Sequence, residues 1–294
     1  MEAISADQFT WAELTDLYNE TRSDYIVPMP MSEKRLKAYA ESYDVDLSAS
    51  VVVRDEKQLL GLGMLGVRPK RSWITRLGVV PDGRRRGVGQ MLMDGMSQST
   101  AKLGLTTMWL EVIKNNDNAH RMFRRYGFVE TRELLVIRRP PNLQLSEHRN
   151  ESINQIVPLE AEETLHLLRH RRRRPNWLNQ TESLENVPNL KGLLIETKNG
   201  ECGWVAFDLG RFQLTHVYVE VTYGDPSYVA AVILQALHNQ HPLKDTVIEN
   251  VPTHDPMWPG FQRLGYFDAF RRIEMVKQME WEKGIAGWLN HTKK

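Results

Sequence analysis

A short segment of the chain combines arginine and glycine in a way that suits anion binding. It follows the apolar run Trp73–Val80, which predicts a strand, and precedes Met91–Met96, which predicts a helix. The basic and glycine positions of this segment are Arg84, Arg85, Arg86, Gly87 and Gly89. The N–H groups and the dipole at a helix start attract anions, glycine lets the backbone approach, and arginine adds charge-assisted hydrogen bonds. The segment predicts a pyrophosphate loop, although a basic turn before a helix is also a common surface feature.

Two motifs in this region resemble the GNAT acyltransferase superfamily. The spacing Arg84-x-x-Gly87-x-Gly89 matches the Arg/Gln-x-x-Gly-x-Gly/Ala signature that wraps the pyrophosphate of acetyl-CoA in that family. After a strand at Trp109–Val112, the segment Asn116–Phe128 resembles the family's Asn-x-x-Ala-(x)3-Tyr-(x)3-Gly-Phe helix. The resemblance implies a GNAT domain with acetyl-CoA as its cofactor. The cofactor contacts that it implies are Leu77, Gly78, Val79, Arg84, Arg85, Arg86, Gly87, Val88, Gly89, Gln90, Asn116 and Phe123.

The resemblance also implies a catalytic arrangement for acetyl transfer to an amine. In GNAT folds the backbone of the strand before the loop, here Leu77–Val79, holds the pantetheine arm and offers donors to the oxyanion. Many relatives have a glutamate base where this chain has Thr75, which cannot accept the proton. Glu111 is the remaining candidate, because the branch of ribosomal-protein N-terminal acetyltransferases uses a glutamate of the same strand. Alternatively, Glu111 is an outward-facing strand residue, as Glu249 would be in the second half.

Other positions depart from the family pattern or leave two interpretations open. The family's tyrosine acid falls at Phe123, which has no hydroxyl, and Tyr126 either replaces it or packs. Asn116 either orients the cofactor or caps a helix. Tyr25, in a proline-interrupted segment, is the predicted contact to the acceptor. An N-acetyltransferase acting on a small-molecule or peptide amine is therefore expected, with a non-catalytic CoA-binding or sensing protein as the alternative.

The second half of the chain repeats the first in weakened form. Gly127–Phe128 recurs as Gly265–Tyr266, 138 positions later, and two apolar strands recur at intervals of 138 and 140. The counterpart of the loop, Thr222–Val229, has no arginine and one glycine, so we expect no CoA site of this kind there. The layout is similar to tandem GNAT proteins such as mycothiol synthase. The predicted domains are a GNAT domain at 1–140, a linker at 141–150 and a degenerate GNAT-like domain at 151–294.

The elements that must position these residues follow from periodicity, capping and turn residues. Thr10 with Glu13 predicts the start of one helix, and Ser32 predicts the start of a second. The predicted strands of the first half are 50–54, 59–67, 73–80, 107–112 and 134–138, and the helices after the loop are 87–102 and 118–126. Together with the resemblance, they imply an α/β (α+β) fold of two tandem GNAT-like domains. Each is expected to have a mixed, mainly antiparallel central sheet flanked by helices.

Composition limits the remaining function classes. The chain has 294 residues, 41% of them hydrophobic and 26% charged, and its formal net charge of +1 gives no support for nucleic-acid binding. The single Cys202 excludes an intrachain disulfide, and with no apolar start or long apolar run the chain is predicted to be cytoplasmic, without a membrane partner. No histidine pair with a cysteine has metal-ligand spacing, so we predict no metal site. The run Arg169–Arg174 predicts a solvated helix end or else a site for an acidic partner, and the sequence indicates no oligomeric state.

Overall fold

The computed structural model describes residues 1–24, 27, 29–141 and 152–279. They form two compact units, one of Met1–Thr131 with the described residues from Glu274 onward, and one of Arg132–Ile273. Apart from its first residue, the predicted linker 141–150 lies outside the described residues, as does the predicted acceptor contact Tyr25.

The first unit is a mixed sheet with helices packed against it. Its strands are β1 (Glu2–Ser5), β2 (Val51–Asp55), β3 (Gln58–Arg68), β4 (Arg71–Val79) and β5 (Thr107–Ile113). Its helices are α1 (Trp11–Glu20), α2 (Glu33–Ser42), α3 (Val88–Lys102) and α4 (Asp117–Arg125). Strands β1 to β4 are antiparallel neighbours in chain order, whereas β4 and β5 run parallel. The predicted strands from β2 to β5 and the helices after the loop are confirmed within two residues of their predicted ends, and β1 was not predicted.

Side-chain caps stabilise the starts of α1 and α2, the two helices that precede the loop. Thr10 and Glu13 form the predicted capping box, in which the Glu13 carboxylate accepts the Thr10 N–H at 2.8 Å and the Thr10 hydroxyl accepts the Glu13 N–H. The Ser32 hydroxyl accepts from the Arg35 N–H at the start of α2. The buried face of α1 packs against β3, as does α3. These contacts fix α1 and α3 against β3, which pairs with the strand that leads into the loop.

The second unit has the same order of elements. Its strands are β6 (Val129–Arg139), from Arg132 on, then β7 (Ile153–Leu159), β8 (Leu190–Thr197), β9 (Cys202–Leu209), β10 (Gln213–Tyr223), β11 (Asp245–Pro252) and the first part of β12 (Phe267–Gln278). Its helices are α5 (Ala161–His170), α6 (Thr181–Glu185), α7 (Pro226–Gln240) and α8 (Trp258–Arg263). Strands β7 to β10 are antiparallel neighbours, and β10 and β11 run parallel. The pairing directions of β7 to β11 are thus those of β1 to β5.

Backbone geometry confirms the internal repeat at two unusual places. Arg76 in β4 and His216 in β10 have φ angles of +50° and +51°, and each lies where the pairing with the preceding strand shifts by one residue. Gly127 and Gly265 have φ angles of +85° and +84° after α4 and α8. The following residue donates its N–H to a phenylalanine carbonyl of the helix in both copies, at 3.1 and 3.2 Å. Such matched irregularities are typical of a duplicated fold.

The last strands of the two repeats are exchanged. Strand β6 follows α4 in the first repeat, but from Leu134 to Arg139 it pairs antiparallel with β11 of the second unit. The end of β12 belongs to the first unit, where the Thr131 hydroxyl donates to Glu274 at 2.8 Å and the Met279 N–H donates to the Thr106 carbonyl at 2.9 Å. The compact units therefore differ from the sequence repeats, and the domain division at 140 and 151 stays a prediction about the repeats.

Three further observations concern chemistry outside the loop. None of the helices among the described residues is long and apolar enough to cross a membrane. Within the same part of the chain, no group of three or more His, Cys, Asp or Glu side chains could hold a metal ion. Cys202 is a partly exposed free thiol at the start of β9.

Candidate active site

Strands β4 and β5 diverge and leave a gap in the sheet. Their parallel pairing ends at Ile74 and Leu110, although both strands continue beyond these residues. The segment Leu77–Val79 follows the end of this pairing, is partly exposed, and pairs on its other side with β3. On the side of the gap no described strand pairs with this segment, and the Leu77 and Val79 carbonyls accept long hydrogen bonds from the Arg22 and Arg84 guanidinium groups, both at 3.4 Å. A ligand at the gap would therefore use the N–H groups of the segment.

The shape of β4 beside the gap depends on a close contact with α1. A Cβ at Gly78 would lie 2.4 Å from the Thr21 hydroxyl oxygen and 2.7 Å from the Thr21 Cβ, so no larger residue fits without displacing the helix end. The Thr21 hydroxyl itself donates to the Tyr18 carbonyl at 2.7 Å. Packing against α1 thus explains the glycine, and any contact of Gly78 with a cofactor would use its backbone.

Helix α3 begins without a side-chain cap. Its N-cap, Gly87, has a φ of +86°, a left-handed conformation that glycine adopts without strain. The Gln90 N–H donates to the Gly87 carbonyl at 3.0 Å, so the N–H groups of Val88 and Gly89 lie ahead of the first intrahelical bond. Val88 buries its side chain and offers only its backbone. A Cβ at Gly89 would make ordinary contacts, the nearest at 3.4 Å, so packing does not require glycine there. Close approach of a ligand explains the residue better.

The three arginines of the loop differ in their ion pairing. Arg84 forms a two-point ion pair with Asp24, with both N–O distances at 2.6 Å, and Arg86 pairs with Asp55 at 2.5 Å. These hydrogen bonds hold the pKa of both carboxyls below their usual range. Arg85 is exposed, has a φ of +61° and forms no ion pair with any described residue. Since exposed ion pairs are weak, a bound pyrophosphate can compete with the two aspartates for Arg84 and Arg86. Arg85 can bind it without first breaking an ion pair to a described residue.

Glu111 lies on β5 beside the gap, with one carboxylate oxygen fixed. The Trp73 indole N–H donates to Glu111 Oε2 at 2.6 Å, and Trp73 itself is buried against Tyr39 and Tyr43. Glu111 is partly exposed. The arrangement holds a carboxylate in one orientation at the divergence of the two strands. It fits both a positioned base and a structural strand residue, and the catalytic role stays a prediction.

Phe123 and Tyr126, the two positions considered for a general acid, both make structural contacts. Phe123 is buried, with its ring centroid 6.0 Å from that of Phe128. The Tyr126 hydroxyl lies 2.8 Å from Asp94 Oδ1 and 3.1 Å from the Gln90 carbonyl. Burial, together with the Asp94 bond, raises the pKa of Tyr126 to about 12. A tyrosine bound to α3 in this way is a structural contact, so these positions supply no evident acid.

Two polar side chains near the gap are engaged within the protein. Asn116 is the N-cap of α4, and its side-chain oxygen accepts from the Ala119 N–H at 3.3 Å. Thr75 is buried, with its hydroxyl 2.6 Å from that of Tyr39. The capping role of Asn116 is therefore observed, and its role toward a cofactor stays a prediction.

Comparison with known proteins identifies the first half of the chain. Residues 11–128 match the Acetyltransferase (GNAT) family. The chain carries a GNAT acetyltransferase domain. A curated relative of this domain is the [ribosomal protein bS18]-alanine N-acetyltransferase of Salmonella typhimurium (strain LT2). It is 28% identical over 125 residues, which are 42% of this chain and 68% of that protein.

Solved structures share the GNAT fold over nearly the whole chain. A GCN5-related N-acetyltransferase from Sphaerobacter thermophilus has a TM-score of 0.68 at 16% identity, covering 94% of this chain and 95% of its own. A tandem GNAT protein from the clavulanic acid biosynthesis pathway has a TM-score of 0.62 at 14% identity, covering 96% and 99%. At these identities the likeness shows the fold alone. It confirms the predicted α/β class and fits the tandem arrangement.

The second GNAT-like repeat caps the helix start that the first repeat leaves open. Helix α7 is the counterpart of α3, and both have 15 residues. The Asp225 carboxylate accepts from the Tyr228 N–H at 2.7 Å at the start of α7. A carboxylate of the chain thus lies at the helix start where the first repeat has Gly87. This agrees with the loss of the arginine loop in the sequence of the second repeat.

The gap between β10 and β11 also differs from its counterpart. A cavity of about 320 Å³ lies there, lined in part by the segment Arg173–Asn179. The side-chain amides of Asn176 and Asn179 donate to the carbonyls of Asn250 and Glu249, at 3.2 and 2.8 Å. Glu249, the counterpart of Glu111, pairs with Arg272 at 2.5 Å. Side chains of the second repeat thus hydrogen-bond two carbonyls of β11 beside this gap. Glu249 pairs with an arginine, whereas Glu111 accepts from a tryptophan, so the two counterparts have different partners.

The basic run Arg169–Arg174 is not wholly solvated. The Arg171 guanidinium lies 4.8 Å from the Tyr218 ring centroid, and burial lowers its pKa. Arg173 pairs with the buried Asp255 at 2.6 Å. The expectation of a solvated helix end is therefore wrong for these two residues, which attach the run to the second repeat.

Proposed function

We propose that the chain is an acetyl-CoA-dependent N-acetyltransferase whose first repeat binds the cofactor at Arg84–Gln90. The observation that carries the proposal is the contrast between two helix starts. Helix α3 begins at Gly87, with no side-chain cap, behind three arginines, whereas Asp225 caps α7. At the start of α3, N–H groups and arginines would attract an anion. At the start of α7, the Asp225 carboxylate would repel it. One cofactor site per chain is therefore expected.

Residues beside the gap would carry out the transfer. Acetyl-CoA, when bound, supplies an acetyl thioester. The backbone N–H groups of Leu77–Val79 would stabilise the negative charge that develops on the acyl oxygen. Glu111 would accept a proton from the acceptor ammonium, directly or through a water. Because Phe123 has no hydroxyl, water would supply the proton for the leaving thiolate.

The acceptor is proposed to be an amine of a peptide or of a small molecule. The name of the relative that acts on an alanine of bS18 supports a peptide α-amine. The proposed base Glu111 lies within the matched family region 11–128. Acceptor contact by Tyr25 and a cytoplasmic location stay predictions.

Acceptor-dependent release of free thiol from acetyl-CoA tests the proposal. The panel contains peptides beginning with alanine, free amino acids, polyamines and amino sugars. Gly87→Asp and Gly87→Asn form a matched pair, since Asp and Asn both tolerate a positive φ but only Asp adds a negative charge. We expect Gly87→Asp to abolish thiol release at cofactor concentrations that saturate the wild type, and Gly87→Asn to retain it within a few-fold. Equal loss in both variants would contradict binding of an anion at this helix start.

A non-catalytic CoA-binding or sensing protein is the second candidate. Phe123 and Thr75 favour it, because they replace the usual acid and base, and Phe123 is buried in the domain. Acetyl-CoA binding without turnover over the whole panel would support this candidate over the enzyme.

A further inference from the structure

Arg76 occupies a special place in β4. It lies in the bulge directly before Leu77, the first residue of the segment beside the gap. Its φ of +50° is uncommon for a residue other than glycine and strains the backbone. Arg76 is partly buried, on the side of β4 where Tyr18 of α1 and Tyr39 of α2 converge. The fold therefore places this guanidinium between α1, α2 and β4, one residue before the segment proposed to hold the thioester.

The contacts of Arg76 are aromatic rather than ionic. Its guanidinium carbon lies 3.9 Å from the Tyr39 ring centroid and 5.6 Å from that of Tyr18. The Nε atom is buried without a hydrogen-bond partner in the described structure, and Nη1 lies 3.8 Å from the Met29 sulfur. Arg76 thus forms no ion pair with a described carboxylate. Two tyrosines orient its guanidinium, but nothing described neutralises it.

The nearby arginines of the loop show the contrast. Arg84 and Arg86 both pair with carboxylates of the chain, at Asp24 and Asp55. The Arg76 guanidinium is held by aromatic rings and by no described carboxylate, so it can donate charge-assisted hydrogen bonds to the oxygens of a ligand. A cation here would also repel a simple ammonium acceptor unless the acceptor brought its own negative charge.

We propose that Arg76 binds an anionic group, a carboxylate or a phosphate, on the acceptor that carries the reacting amine. The proposal rests on the N-acetyltransferase function and narrows its acceptors to amines with a nearby anionic group. Free amino acids, peptides with an acidic residue close to the N-terminus, and phosphorylated amines belong to this class; polyamines and unmodified amino sugars do not.

Matched acceptor pairs test the proposal. Each amino acid or acidic peptide is compared with its amide, and phosphoethanolamine with ethanolamine, which separates carboxylate from phosphate. We expect the wild type to favour an anionic member about 10- to 100-fold in kcat/KM, as for a charge-assisted contact. Arg76→Gln should remove this preference through the KM of the acceptor, with the KM of acetyl-CoA unchanged, and Arg76→Lys should keep part of it. His216→Gln, at the matching bulge of the second repeat, should leave the preference intact.

Two results would overturn the inference while the proposed function stands: equal rates for both members of every pair, or an equal loss for both members in Arg76→Gln. If no member is acetylated, saturation-transfer NMR with CoA present measures binding of the same pairs. Binding of an anionic member that Arg76→Gln abolishes would support the site although the enzyme proposal fails. No difference in binding between the members would overturn the site as well.

Discussion

Replacement of Glu111 by glutamine separates a catalytic base from a structural strand residue. Gln keeps the shape of the side chain, and its oxygen can still accept the Trp73 N–H that Glu111 accepts at 2.6 Å. It cannot take a proton from the acceptor. We therefore expect acetyl-CoA affinity to be unchanged and kcat/KM to fall about 10²–10⁴-fold, which is the usual contribution of a general base.

The structure sets the size of the effect under each alternative. If Glu111 only supports the strand, the change turns a charge-assisted hydrogen bond into a neutral one. The effect is then about 1 kcal/mol, or about five-fold in rate if all of it reached the transition state. A hundred-fold loss corresponds to about 2.7 kcal/mol and exceeds that limit.

The assay is thiol release at saturating acetyl-CoA, measured from pH 5 to 9. Loss of the acidic limb of the pH–rate profile in Glu111→Gln would identify the base, and Trp73→Phe should give a smaller loss while keeping that limb. Glu249→Gln, at the counterpart strand position, is the matched control and should stay within two-fold of the wild type. Turnover of Glu111→Gln within five-fold, with the profile intact, would refute the catalytic role.

Three further predictions follow from charges in the structure. Asp24→Asn frees Arg84 from its ion pair, so acetyl-CoA should bind about two- to five-fold tighter in a direct titration at low salt, with less gain at 0.5 M salt; an unchanged affinity would contradict competition for this arginine. Arg85→Gln should weaken acetyl-CoA binding more than Arg86→Gln in the same titration, because Arg85 forms no ion pair with a described residue that the cofactor would have to break; the reverse order would argue against this. Burial lowers the pKa of His238 from 6.5 to about 3, so below pH 6.5 the unfolded chain binds a proton that the folded chain does not. The free energy of unfolding should therefore fall by up to about 1.4 kcal/mol per pH unit between pH 6.5 and 4. Urea denaturation at several pH values should show that the free energy of unfolding depends less steeply on pH in His238→Gln than in the wild type. An equal dependence on pH in both proteins would contradict the assignment.

The parts of the fold that could be predicted from the sequence depend on neighbouring residues. The capping box of Thr10 and Glu13 and the loop Arg84–Gly89 are set by residues a few positions apart, so their types and spacing were informative. The partners of the site residues were not predicted. Trp73 and Glu111 are 38 positions apart, and Arg84 and Asp24 are 60 apart, so only the tertiary structure brings them together.

Three further features could not be predicted. The repeats have similar last strands, and sequence similarity does not decide which copy of a strand pairs with which sheet, so the exchange of β6 and β12 was missed. The bulges at Arg76 and His216 use residues without a preference for positive φ, so residue type gave no signal. Strand β1 has only four residues, too few for a clear alternation.

The stoichiometry of acetyl-CoA binding distinguishes one cofactor site in the first repeat from a site in each repeat. Isothermal titration of the wild type should give one site per chain, because α3 is open to an anion and α7 is capped by Asp225. Gly87→Asp should weaken that site about 250-fold, because a like charge about 5 Å away at an effective dielectric constant near 20 costs about 3.3 kcal/mol, whereas Gly87→Asn should stay close to the wild type. Two sites per chain, or one site unaffected by Gly87→Asp, would contradict the assignment of the cofactor to the first repeat.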